Sequence, residues 1–288
     1  IEISGWVPPR MVEDRVEPGS PLSTRGPNRY TRIVERLFEE RFKPGDVEVP
    51  FSREDIVETA RALNVKLPKN LGDVLYSFRF RTELPTSITS KAPTGKVWII
   101  RPAGRGQYTF FATKVAVFGP RVGASVTKVP DSTPGLIERY ALSDEQALLA
   151  RVRYNRLVDL FTGITCYSLQ SHLRTTVEDL GQIETDEVYV GIDKFGVHYV
   201  IPVQAKGKGD RHNVVQVESD FAMCAEKFPS LVAKPLGAQF MEGGVIALFE
   251  FESSSDGVSI ASEQHYRLVP PTELTVEELE TYRKRAHR

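Results

Sequence analysis

Apolar residues recur at helical spacing in some parts of the chain and alternate with polar residues, as in a strand, in others. Residues 30–42 place Ile33, Leu37 and Phe38 on one face of a predicted helix, and a Pro-Gly pair follows it. The residues before this helix, 1–30, are rich in Pro, Gly and Arg, and they predict an irregular arm.

The next segment predicts two helices joined by a short turn, followed by a hairpin. Ser52 is a suitable N-cap for the first helix, with Asp55 at the capping-box position, and Pro68 suits the first position of the second helix. Two runs of β-branched and aromatic residues, 97–100 and 108–111, flank a Gly-Arg-Gly turn and predict the hairpin. This order is typical of a winged helix-turn-helix domain, which we expect over 31–120 and which places its second helix in the DNA major groove.

Beyond a linker interrupted by Gly and Pro, at 121–136, the pattern predicts a second domain over 137–288. Ser143 starts a predicted helix that runs to residue 160 or 161, with Gly163 as its stop. A second helix is predicted from Thr165, because apolar residues recur at helical spacing: Leu169, Leu173, Val177 and Leu180.

The stretch from Asp186 to Lys206 is typical of two strands joined by a turn at 193–196. In such a hairpin the start of the first strand lies beside the end of the second, so Asp186 should lie close to Gln204 and Lys206. Gln204 and Lys206 leave the same face of their strand, and the carbonyl of Ala205 stays near it. A carboxylate, two further oxygen donors and an ammonium group suit Mg²⁺-assisted phosphodiester hydrolysis.

Three further elements complete the predicted second domain. Residues 216–228 predict a helix that carries Val217, Phe221, Cys224 and Ala225 on its inner face. Residues 245–251 form a near-continuous apolar run, which predicts a buried central strand. The charged tail predicts a final helix capped by Thr275 with Glu278.

Charge supports DNA binding only locally. Residues 66–114 contain nine basic residues and two acids, a net charge of +7, whereas the whole chain carries −1. Such a concentration suits phosphate contacts, although a plain solvated surface is the alternative. We expect contacts to double-stranded DNA from Lys66, Lys69, Arg79, Arg81, Arg101 and Arg105, and from Lys208 and Arg211 after the second strand of the hairpin.

The hairpin residues resemble the PD-(D/E)XK nuclease superfamily, in the variant in which Gln replaces the acid of the second half-motif, as in Mrr-like restriction enzymes. The matching positions are Asp186, Gln204 and Lys206, and Thr185 stands where the motif has Pro. The resemblance covers residues 140–255. It implies an α/β (α+β) fold, with a restriction-endonuclease-like core of a mixed central sheet flanked by helices, here preceded by the winged-helix domain.

The resemblance also implies roles. Asp186 would bind Mg²⁺ directly, Gln204 and the Ala205 carbonyl would complete the protein ligands, and Lys206 would position the attacking water. The upstream helix often adds an acid or amide, for which Glu178 and Gln170 are candidates, and Gln216 is a further candidate on the following helix. The expected activity is that of a type II restriction-like endonuclease that leaves 5′-phosphates and cuts both strands as a homodimer.

Three alternatives stay open. The motif residues could be ordinary polar residues on an edge hairpin, the chain could be a DNA-binding regulator or scaffold without activity, or it could cut RNA or branched DNA. Two cysteines, Cys166 and Cys224, are too few for a disulfide framework or a cysteine zinc site, and their apolar helical setting predicts buried thiols. No signal peptide or membrane-length apolar run is apparent, so we expect a cytoplasmic protein without a membrane partner.

Overall fold

The computed structural model describes residues 29–69, 71–80, 82–140, 144–255 and 257–285. The predicted arm, 1–30, lies almost wholly outside the described residues, as do Arg81 and Ser143.

The N-terminal half packs helices against a small antiparallel sheet with the strand order β1-β3-β2. Ile33, Leu37 and Phe38 are fully buried, as predicted, and the ring of Phe38 packs edge-on against Trp98 and Phe110. The elements in chain order are α1 (Arg29–Arg41), β1 (Glu48–Ser52), α2 (Arg53–Ala62), α3 (Gly72–Phe80), α4 (Thr86–Thr89), β2 (Val97–Pro102) and β3 (Gln107–Thr113).

Local signals placed most of these elements correctly. The capping box at the start of α2 is confirmed, with the Ser52 N–H donating to the Asp55 carboxylate at 2.7 Å and the Asp55 N–H donating to the Ser52 hydroxyl at 3.2 Å. The predicted hairpin is confirmed as β2 and β3. The predicted start of the second helix is wrong, because α3 begins at Gly72 and not at Pro68.

The C-terminal half is built on an eight-stranded mixed sheet with the order β5-β13-β12-β11-β8-β7-β6, in which β10 also pairs with β8. Its elements are β4 (Val117–Phe118), β5 (Val126–Pro130), α5 (Gly135–Tyr140), α6 (Asp144–Tyr154), α7 (Leu157–Thr162), β6 (Thr165–Val177), β7 (Gly181–Ile192), β8 (His198–Lys206), β9 (His212–Asn213), α8 (Val214–Lys227), β10 (Val232–Ala233), β11 (Leu236–Phe240), β12 (Val245–Ser254), β13 (Gly257–Val269) and α9 (Val276–Arg285).

Helices cover both faces of this sheet. α6 and α7 pack on one face against Ile201 and Val203, whereas α8 packs on the other face against Val188 and Val200. β6, β7 and β8 form an antiparallel meander, and α8 carries the chain from β8 to β11, which runs parallel to β8. A mixed sheet flanked by helices therefore agrees with the predicted fold class. The buried central strand predicted over 245–251 is confirmed as β12, and the Thr275 cap of α9 is also present.

Several predictions for this half are wrong. The helix predicted from Thr165 is strand β6, and the helix predicted to reach residue 160 is broken into α6 and α7 at Arg156, which has a left-handed backbone. Part of the expected linker, 121–136, forms β5 at the edge of the large sheet. Ala225 was expected on the inner face of α8 but is exposed.

The two halves contact each other through hydrogen bonds and through a shared apolar cluster. The Gly104 N–H at the tip of the β2–β3 hairpin donates to the Asp179 carbonyl at 2.6 Å. The Asn213 amide donates to the Arg79 carbonyl at 2.6 Å, and Ile99 of β2 lies in one buried cluster with residues of α8 and β12. None of the described helices is long and apolar enough to cross a membrane.

Candidate functional site

The predicted motif residues lie on adjacent strands at one level of the large sheet. Ser171–Glu187 and Leu173–Thr185 are consecutive pairs of the β6–β7 ladder, so His172 and Asp186 lie opposite each other between them. In the parallel pair β8–β11, Gln204 is in register with Gly237, and Lys206 with Gln239.

β7 and β8 part at this level. Their ladder runs from Ile192–His198 to Glu187–Val203 and includes no pair beyond it. Instead, the Ala205 N–H donates to the Asp186 carboxylate at 2.7 Å, and the Gln204 amide donates to the Glu184 carbonyl at 3.2 Å. Side chains of the motif thus replace the backbone hydrogen bonds that the strands would otherwise make, which gives the motif a fixed place between the strands.

Asp186 is half-buried, and its surroundings include groups that raise the pKa of its carboxyl and groups that lower it. Burial raises the pKa of the Asp186 carboxyl, while the Ala205 N–H and the neighbouring Lys206 and His172 side chains act to lower it. Glu187 points to the other face, where Arg153 Nε donates to its carboxylate at 2.8 Å, so it is not part of this site.

Asp220 is a second acid at this level, supplied by α8. It is only 1% exposed, and its carboxylate accepts hydrogen bonds from the Thr185 hydroxyl at 2.5 Å and from the Gln204 amide at 3.1 Å. Burial raises the pKa of Asp220 to about 7, and the nearby Asp186 adds to this, against the hydrogen bonds from Thr185 and Gln204. Asp220 lies four residues after Gln216, the site candidate that the sequence placed on this helix.

The spacing on α8 contained the signal for its burial. Asp220 follows Val217 by three positions and precedes Cys224 by four, so all three share one helical face, and all three are buried. A carboxylate on the apolar face of a helix therefore indicated an inward acid.

His212 fills the space beside Gln204 on the neighbouring strand. A Cβ added at Gly237 would lie 2.8 Å from Cε1 of His212, so the imidazole lies directly against the β11 backbone. Both ring nitrogens are buried, and burial together with the Lys206 charge lowers the pKa of His212 to about 3, against the backbone at Ala238, which acts to raise it. Gln239, beside Lys206, also has a buried side-chain oxygen without a partner.

The candidates assigned to the upstream helix do not lie at the site as expected, because that segment is a strand. Glu178 is exposed in the β6–β7 turn, and its N–H donates to Glu226 at 2.8 Å. The site level lies five residues beyond Gly181, which is roughly 16 Å at about 3.3 Å per residue of strand. Gln170 is exposed on the edge strand opposite Val188, and Gln216 is half-buried one turn before Asp220.

Some of the expected DNA-contacting residues are exposed, and others are held in contacts within the protein. Lys66, Lys69, Arg105, Lys208 and Arg211 are exposed, and Arg105 lies at the hairpin tip. Arg101 was expected beside them, but its guanidinium forms an ion pair with Glu218 of α8 and lies 3.8 Å above the centre of the Phe111 ring. Arg79 is half-buried and holds Asn213 through its carbonyl.

The predicted burial of both thiols is confirmed. Cys166 lies on β6 and not on a helix, and Cys224 lies on α8. Burial raises the pKa of Cys166 to about 11 and that of Cys224 to about 12, so both remain protonated near neutral pH.

In the part of the chain that the structure describes, no three His, Cys, Asp or Glu side chains converge as a metal-binding group. Comparison with known proteins gives no match to a family model, to a characterised protein or to a solved structure. The site must therefore be interpreted from its own chemistry.

Proposed function

We propose that the chain is a Mg²⁺-dependent, sequence-specific endonuclease for double-stranded DNA, with a PD-(D/E)XK-like core and a winged-helix DNA-binding domain. The observation that carries the proposal is the separation of β7 and β8 after Glu187–Val203, with Asp186, Gln204 and Asp220 occupying the gap. An isolated polar surface on an edge hairpin would not place a second acid beside the amide of Gln204.

The order of elements supports both parts of the proposal. Apart from the short elements α7, β9 and β10, the chain from α6 to β11 consists of a helix, three antiparallel strands, a helix packed on the sheet and a strand parallel to β8. In the N-terminal half, the order α1, β1, α2, α3, β2, β3, with the short α4 between α3 and β2, and the three-stranded sheet suit a winged helix, in which α3 would enter the major groove.

The donors at the site suit magnesium. Carboxylate, amide and carbonyl oxygens are the ligands that Mg²⁺ accepts, with one or two carboxylates in a typical site. Asp186 with the oxygens of Gln204 and Ala205 would hold it, and the buried Asp220 fixes the orientation of the Gln204 amide. Bound Mg²⁺ would neutralise charge on the scissile phosphate and make a bound water more acidic.

The protein residues have their own tasks in this proposal. Lys206 adjoins the pair of acids, where its ammonium group orients the attacking water and offsets negative charge that develops on the phosphate. The products would carry 5′-phosphates, and a homodimer would account for cutting of both strands. The exposed basic residues Lys208 and Arg211 follow β8 directly and would hold the DNA backbone beside the site.

The test is incubation of plasmid DNA with the protein, with and without Mg²⁺. We expect Asp186→Asn and Lys206→Ala each to slow cutting by about 100-fold or more, because each removes a group that acts on the reacting atoms, while DNA binding is retained. The matched control is Lys194→Ala, which removes a lysine from the exposed turn at the opposite end of the same hairpin. Cutting by Lys206→Ala at the wild-type rate would contradict the proposed mechanism.

Two observations favour a second candidate, a DNA-binding regulator on a nuclease-like scaffold. The Gln in the second half-motif reduces the number of anionic ligands, and the described residues form no three-acid or histidine-containing metal group. For this candidate, the wild-type protein would bind DNA and leave the plasmid intact at every Mg²⁺ concentration.

A further inference from the structure

His172 lies in a backbone conformation that is uncommon outside glycine. Its φ is +48°, in the left-handed region, within an otherwise extended strand that also contains a bulge between Ser168 and Gln170. Such irregularities redirect side chains and cost energy, and they cluster at functional positions. His172 also lies opposite Asp186 in the β6–β7 ladder, as described above.

His172 lies on the edge strand β6, and its ring is held by α6, the helix that also contacts Glu187 on that face of the sheet. The amide nitrogen of Gln146 on α6 lies 2.8 Å from Nε2 of His172. An amide nitrogen can only donate, so Nε2 accepts and the ring proton lies on Nδ1, which is then a hydrogen-bond donor. The side chain is exposed, so this donor can reach a molecule that enters the site from solvent.

The position of His172 complements that of Lys206. Lys206 lies on the β8 side of Asp186 and His172 on the β6 side, and both are close enough to Asp186 to act on its carboxyl. A phosphodiester backbone that passes over Asp186 would therefore meet one nitrogen donor on each side. Ordinary solvent exposure would explain neither the left-handed backbone nor the hydrogen bond from α6.

We propose that His172 binds a phosphate of the substrate backbone at or next to the scissile bond, and that Gln146 is its positioning residue. This inference rests on the proposed endonuclease function. In this proposal β6 contributes a side chain to the site, on the side opposite Lys206, and the left-handed backbone at His172 orients that side chain.

The experiment compares His172→Asn and His172→Gly with the wild type in single-turnover cutting of a short duplex. Both replacements tolerate the left-handed backbone, so we expect an unchanged or raised melting temperature together with cutting slowed by about tenfold or more. Asn64→Gly is the matched control, because Asn64 also has a left-handed backbone, with a φ of +51°. This control should match the wild type in cutting.

A second readout separates phosphate contact from a structural role. The cutting rate of each protein is measured on duplexes in which a single phosphate, at the scissile or a flanking position, is replaced by an uncharged methylphosphonate. At one of these positions the methylphosphonate should slow cutting by the wild type. It should slow cutting by His172→Asn little further, because that variant already lacks the contact with this phosphate. Gln146→Ala should slow cutting in the wild type and have no added effect in the His172→Asn background.

The outcomes distinguish this inference from the proposed function. If the wild type cuts and the His172 variants cut equally fast, or if every methylphosphonate keeps its full effect in His172→Asn, the phosphate contact is refuted while the endonuclease stands. If the wild type does not cut with Mg²⁺, both are refuted.

Discussion

Asp220 is a carboxylic acid almost without access to water, beside a second acid, Asp186. Removing a carboxylate from water costs free energy, and the acid reduces that cost by keeping its proton. The hydrogen bonds from Thr185 and Gln204 offset only part of the penalty. The site therefore contains an acid whose charge depends on pH near neutrality.

This property gives a prediction for stability in the absence of divalent metal. The pKa of Asp220 is about 7 in the folded protein and 3.8 in the unfolded chain. Between these two pH values Asp220 is ionised in the unfolded chain but still protonated in the folded protein. The contribution of Asp220 to the free energy of unfolding is therefore largest below pH 3.8. It falls as the pH rises, by up to about 1.4 kcal/mol per pH unit. We expect Asp220→Asn to become progressively more stable than the wild type from pH 4 to pH 7.

Urea unfolding at several pH values measures this difference. Asp179→Asn is the control, because Asp179 is an exposed acid in the β6–β7 turn and asparagine tolerates its left-handed backbone. A constant difference between Asp220→Asn and the wild type across this range would show that the folded-state pKa of Asp220 is not raised.

Single residues also show what the sequence could reveal about the site. The position of Asp186 beside residues 204–206 could be predicted from the geometry of a hairpin, which depends only on local pairing. His212 could not be found in this way, because its place depends on Gly237, which is distant in sequence and leaves room for the imidazole. Contacts between distant segments are invisible to periodicity.

At the scale of elements, β6 explains the largest error. Leu169, Leu173 and Val177 are spaced by four, which is helical spacing but also an even number, so a strand places them on one face as well. The ambiguity is decided by the β-branched residues near the end of the segment, Thr175, Thr176 and Val177, which favour a strand. Candidates placed on that helix, Glu178 and Gln170, were misplaced for the same reason.

The packing of β6 on β7 gives a prediction. A Cβ at Gly191 would lie 2.6 Å from the Ile164 side chain and 3.1 Å from the carbonyl oxygen of Thr165, at the start of β6. The backbone of β6 would have to move, so we expect Gly191→Ala to lower the free energy of unfolding by about 1–3 kcal/mol. Chemical denaturation measures the loss.

Gly119→Ala is the matched control for this substitution, because a Cβ at Gly119 would meet no atom within 4 Å. The two variants differ only in what surrounds the added methyl group. Equal stability of both variants would show that the edge strand is not packed as described.

At the scale of the whole molecule, the basic surface of the N-terminal half is smaller than the sequence indicated. Charge counting treats all cations alike, but Arg101 is neutralised by Glu218. Of the expected phosphate contacts in this half, Lys66, Lys69 and Arg105 are exposed, whereas Arg81 lies outside the described residues. This pairing could not be predicted, because Arg101 and Glu218 are distant in sequence and lie in separate halves of the chain.

We expect Arg105→Ala to reduce the slope of log affinity for duplex DNA against log salt by about 1, because one phosphate contact is lost. Lys194→Ala is the control, because it also removes one positive charge, from the exposed β7–β8 turn, and should leave the slope unchanged. Binding measured at four or more salt concentrations gives both slopes. Equal slopes for Arg105→Ala and the wild type would exclude the hairpin tip from the DNA interface.

The hydrogen bond from the Gly104 N–H to the Asp179 carbonyl joins the hairpin tip to the β6–β7 turn. If the N-terminal half reads bases while Asp186 directs hydrolysis, this junction acts as a spacer that fixes the distance between the base-reading surface and the site at Asp186. Strand scission would then fall at a constant number of base pairs from the recognised sequence. Lengthening the hairpin tip would blur that distance without altering which sequence is read.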